Sequence, residues 1–137
     1  MAFEQNPYAV KISLVAAADY SDLSNQFKLV KLSSPVAGTP GATLSAAATD
    51  RCIGVLQNTP KANFEAEVTV SGVCKVRAGA GVAVGAPLMT DGSGQVVTAA
   101  FGTDTTKYII GTALTACNNA GEIITAAVSF ANAGRGA

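Results

Sequence analysis

The sequence has no histidine and no tryptophan, and only 13% of its residues are charged. Without histidine the chain lacks the commonest general base, the commonest metal ligand and the usual partner of a nucleophilic serine or cysteine. Most hydrolase arrangements are thereby excluded. Aromatic residues make up 6%, and they do not interleave with Lys28, Lys31, Lys75 and Arg77 as base-stacking platforms do, so these cations read as a solvated face. Nine acidic and nine basic residues cancel, leaving no long-range field to gather DNA, anionic lipid or an acidic substrate. Direct contact with nucleic acid is not expected. No stretch approaches the roughly 20 apolar residues of a membrane helix. The first residues place Glu4 before any cation and carry no apolar run, so neither a leader nor a membrane partner is expected. Cys52, Cys74 and Cys117 are odd in number and lack CxxC spacing, unlike a disulfide framework or a zinc knuckle. They read as reduced apolar residues, with Cys52 and Cys74 buried, and no metal or cofactor is expected.

What the 137 residues do contain is Gly, Ala, Ser, Thr and Val in β-prone runs of four to eight, separated by Gly, Pro, Asn and Asp clusters. That pattern predicts one all-β domain, a small barrel or sandwich. Strands are expected at 10–15, 26–32, 43–47, 52–57, 66–70, 74–77, 87–90, 95–99, 108–115 and 123–130. A helix of barely two turns is expected at 19–25, opened by an Asp or Ser cap. Residues 33–41, with Pro35, Gly38, Pro40 and Gly41, read as an irregular loop. Residues 1–9 read as an extended N-terminal arm, 10–130 as the domain and 131–137 as a C-terminal tail.

Between Glu65 and Ala78 apolar residues alternate with Glu65, Glu67, Thr69, Lys75 and Arg77. A turn at Ser71, Gly72 and Val73 would set Val68 opposite Val76 and Glu67 opposite Arg77. One strand bent at a Gly72 bulge is the competing reading. Asp91-Gly92-Ser93-Gly94 between two apolar runs predicts a hairpin; it has too few carboxylates for a calcium loop. The glycine-rich segment 79–85 is followed by Pro87 and a strand pattern, not by a helix, so it reads as a bend rather than a phosphate cradle. The neighbouring carboxylates Asp19 and Asp22 suit a cap, and Glu65 and Glu67 suit a solvated strand face. Ile53-Gly54 and Ile110-Gly111 each precede a polar loop and another strand, a weak internal echo of two related hairpins.

The segments KISLVAAADYSDLSNQFKLVKL (11–32), DRCIGVLQNTP (50–60), VTVSGVCKVRAGAGVAVGAPLMTDGSGQV (68–96) and YIIGTALTACNNAGEIITAAV (108–128) together resemble phage capsid cement, or head decoration, proteins of the lambda-type class. The resemblance implies a β-barrel or β-tulip body without enzymatic activity. It further implies homotrimers on the outer surface of an icosahedral head, contacts to the major capsid protein that stabilise its lattice, and assembly in the host cytoplasm. It carries over Gly54, Gly72, Gly85, Pro87, Gly92, Gly94 and Gly111 as fold-shaping turn positions. From the residues themselves, Phe3, Pro7 and Tyr8 stand out in the arm as anchors for a partner. The alternative is a small β-sandwich that binds carbohydrate or a host surface, which the absence of tryptophan weakens.

Overall fold

The computed structural model describes the backbone of residues 5–131 and 133–136, and the side chains from residue 9 onward. The fold is all-β. In chain order the strands are β1 (Gln5–Ala16), β2 (Leu29–Val36), β3 (Thr39–Leu44), β4 (Gly54–Leu56), β5 (Glu65–Arg77), β6 (Pro87–Thr90), β7 (Val96–Thr98), β8 (Tyr108–Ile109), β9 (Gly111–Ala113), β10 (Ile123–Ser129) and β11 (Gly134–Arg135). Nine of them form one sheet in the order β1-β3-β2-β4-β5-β10-β9-β6-β7, and β1 also pairs with β5. That extra pairing closes β1, β3, β2, β4 and β5 into a five-stranded barrel. The other strands lie outside it.

The long strand β5 serves both halves. Its first part pairs with β1 (Val15 to Glu65, Ile12 to Val68) and with β4 (Leu56 to Val68). Its second part pairs with β10, from Ser129 opposite Ser71 to Ile123 opposite Arg77. The expected hairpin at Ser71–Val73 is therefore absent and the single-strand reading is correct, although the pairing with β10 runs through Gly72 without a bulge. Gly72 takes φ 113°, a conformation that side chains resist, within the bend. Val68 and Val76 thus face different partners, and Glu67 pairs with Lys11 at 2.9 Å instead of with Arg77. The outer strands curl back until Val96 of β7 bridges Ala78 just beyond β5, with the Gly79 N–H donating to Val96 O at 2.8 Å.

Two cores follow from this arrangement. Leu14, Ala16, Val30, Ala42, Leu56, Ala66 and Val68 fill the barrel with Tyr20. Leu29, Val55, Cys74, Val76, Leu88, Ile124 and Phe130 lie in the second core, between the barrel wall and the outer strands. Leu29 and Val30 are chain neighbours that point into different cores, as are Val55 and Leu56, so β2 and β4 are apolar on both faces. Each fully buried Leu or Ile contributes about 1.5–3 kcal/mol.

Other expectations change in detail. The predicted loop 33–41 is the tip of the β2–β3 hairpin, with Val36 opposite Thr39 and a two-residue turn at Ala37 (φ 49°) and Gly38 (φ 80°). Positive φ at both central residues matches the twist of a tight hairpin. The register is irregular between Ser33 and Val36, which accommodates Pro35. The expected helix shrinks to a 3₁₀ turn, Leu23–Asn25, capped by Asp22. β1 starts at Gln5, inside the expected arm, because the length of β5 offers Val73 as its partner. Gly134 and Arg135, in the expected tail, pair with Ile109 and Tyr108. The hairpin at 91–95 forms as predicted, with Thr90 opposite Val96.

Candidate functional site

The sequence-predicted residues do not gather at one place. Phe3 lies outside the described residues; Pro7 and Tyr8 belong to β1, and their side chains also lie outside the described set. Gly72, Gly85, Gly92 and Gly94 have positive φ, and Pro87 opens β6. Gly54 and Gly111 lie within strands instead of at turns, each backed against a neighbouring strand: a Cβ on Gly54 would meet Val68 and Thr69, and one on Gly111 would meet Ala127 and Val128. The Ile-Gly echo therefore has a shared physical cause, since both glycines let two strands of an antiparallel pair approach closely.

The carboxylates serve structure. Asp19 accepts the Ser21 N–H at 2.9 Å, and Asp22 accepts that of Ser24 at 2.8 Å. Asp91 accepts from Ser93 and from the Gln95 N–H, closing its own hairpin. Among the described residues no group of three or more His, Cys, Asp or Glu side chains is placed to hold a metal. Cys52, Cys74 and Cys117 are not joined in disulfides; the first two are buried and the third is half-buried. The cations expected on one face have separate surroundings. Lys31 pairs with Asp50 at 3.0 Å, Lys75 lies 5.9 Å from the Phe27 ring centre, and Arg77 donates to three carbonyl oxygens.

What the surface offers is apolar. Val10, Leu23, Leu32, Phe64, Val84, Phe101 and Leu114 are all exposed, and the first six by more than half. They are spread over β1, the Leu23–Asn25 turn, β2 and the loops at Phe64, Val84, Phe101 and Leu114. The most defined concavity is a cleft of about 470 Å³ lined by Lys31, Leu32, Arg51, Cys52, Ile53, Phe130 and Ala131. It opens where β4 and β10 follow each other along one edge of β5, close to where the Phe130 N–H donates to Val70 O. Sequence reasoning missed it because its residues come from three distant stretches, none with a motif. Two shallower grooves run along β9 and β10 and beside Phe64.

A profile of phage cement proteins matches residues 26–130, across both the barrel and the outer strands. The chain belongs to the phage cement protein family. It is accordingly a structural protein of the phage head. The fold of this cement-family chain is similar to that of the head fiber gp8.5 N base of bacteriophage phi29. The TM-score is 0.66 over 88% of this chain and 94% of that one, at 19% sequence identity. At that identity the likeness is one of fold. No curated protein matches the chain.

Proposed function

We propose that this protein binds the outer surface of an icosahedral phage head as a homotrimer and stabilises the lattice of the major capsid protein. Membership of the cement family is the observation that carries the reading. The surface agrees with it. Among the described residues seven large apolar side chains are exposed, and the chain has zero net charge, so many copies can crowd on one shell without mutual charge repulsion. Assembly takes place in the host cytoplasm, where reduced thiols such as these persist. The glycan-binding alternative is disfavoured by the aromatic residues: among the described residues Tyr20 is buried, while the exposed Phe64 and Phe101 sit on separate loops and share no stacking platform.

The N-terminal arm is the second element of the proposal. Residues 1–8, which include the opening of β1, can reach a neighbouring subunit or the shell through their side chains, where Phe3 and Tyr8 each contribute about 1.5–3 kcal/mol on burial before ordering costs. The test compares heads assembled with and without the protein, measuring the temperature at which they release DNA. Decorated heads are expected to withstand higher temperature, and equal release temperatures would refute stabilisation. In the same assay, deleting residues 1–8 is expected to leave the barrel folded, because the β1–β5 pairs from Val10 to Val15 remain, while lowering occupancy on the head.

A further inference from the structure

The geometry points to the cleft between β4 and β10 as the seat of an extended, acidic segment of the head's shell protein, with one apolar side chain over Ile53 and a carboxylate on Arg51. This inference rests on the cement reading and names the partner chemistry of one surface. The cleft floor is apolar, with Ile53 half-buried and Phe130 only 1% exposed, and Leu32 stands at its rim 56% exposed. Ile53 is fixed there by its N–H, which donates to Val30 O at 2.8 Å.

The rim carries positive charge that the chain does not neutralise. Lys31 is paired with Asp50. Arg51 is exposed and has no hydrogen-bonding or ion-pairing partner among the described residues. The Tyr108 hydroxyl is held below its usual pKa, first by its hydrogen bond and charge interaction with Arg135, with Arg51 adding to the same field. One exposed guanidinium, that of Arg51, and one compensated lysine thus line a greasy slot on a protein with no net charge. A carboxylate beside an apolar side chain complements that pattern, since a guanidinium can grip a carboxylate with two parallel hydrogen bonds. Sugars would find few hydroxyl partners on such a floor, and so short a cationic rim does not follow a phosphate backbone.

The experiment adds the purified full-length chain to heads that lack it and measures bound protein by sedimentation across a concentration series. Arg51→Glu and Leu32→Asp are each expected to weaken binding by about tenfold or more, and the Arg51→Glu loss should shrink as salt is raised. Both side chains are exposed, so thermal unfolding should be unchanged. Lys61→Glu, on the loop between β4 and β5, reverses an exposed charge away from the cleft and is expected to bind as the parent does. Parental affinity in both cleft variants would overturn the inference while leaving the cement reading standing, as would an equal loss with Lys61→Glu. Failure of the parent chain to bind heads would overturn the cement reading and this site with it.

Discussion

Gly54 of β4 lies so close to Val68 of β5 that a methyl group on the glycine would overlap the Val68 Cγ1 atom and approach Thr69 O to 2.6 Å. The neighbour on one side is backbone in the central strand of the molecule, so the contact cannot relax cheaply. Gly54→Ala is expected to cost about 1–3 kcal/mol through overpacking. Gly134→Ala, where a Cβ meets nothing within 4 Å, should change stability by less than about 0.5 kcal/mol. Urea unfolding of the two variants checks the contrast.

Arg77 ties three segments together. Its guanidinium donates to the carbonyl oxygens of Leu23 (3.2 Å), Gln26 (3.2 Å) and Gly121 (3.0 Å). A lysine ammonium cannot reproduce that planar fork, so Arg77→Lys should destabilise nearly as much as Arg77→Ala, by about 1–3 kcal/mol. Faster amide exchange in the Leu23–Asn25 turn is expected in both. A lysine variant as stable as the parent would show that charge, not geometry, is what matters there.

The all-β class and the 91–95 hairpin were legible because each rests on local chemistry: alternation along the strands, and Asp-Gly at the turn. The path of β5 was not. Its apolar residues keep the same parity on both sides of Gly72, so a bent strand and a hairpin produce the same local pattern, and only the distant partners β1, β4 and β10 decide between them. The β2–β3 hairpin was hidden by Pro35 and Pro40, which ordinarily argue against strands but are tolerated at an exposed, irregular tip. The cleft was illegible for another reason. Leu32, Ile53 and Phe130 share no spacing, and their meeting depends on where β4 and β10 end along β5.

Asp50 makes stability pH-dependent. Burial is the largest influence on its carboxyl and pushes the pKa up, but the Ala46 N–H, Lys31 and the Ala47 N–H together hold it below the ordinary value. A group with a lowered folded pKa contributes stability above its unfolded pKa, about 3.9, and loses that contribution as pH falls through the folded value. Asp50→Asn is therefore expected to be less stable than the parent at pH 7, with the gap closing below pH ~4. A gap that stays constant across that range would rule out the assignment.

The thiols should react in order of exposure. Burial pushes the Cys52 thiol up to about 11, whereas Cys117 is half-buried with its Sγ 3.4 Å from Ala80 O. In the folded protein at pH 8, alkylation mapped by mass spectrometry should reach Cys117 first and leave Cys52 and Cys74 largely unmodified. Unfolding without reductant should then expose three titratable thiols. A count of one would show that a disulfide forms and that the compartment is oxidising.

Image reconstruction of heads carrying the protein tests its place in the virion most directly. The account predicts extra density on the outer face of the shell, in groups of three copies of the 13.7 kDa chain, each contacting the major capsid protein. Density confined to the inside of the shell, or heads indistinguishable from those lacking the protein, would contradict it.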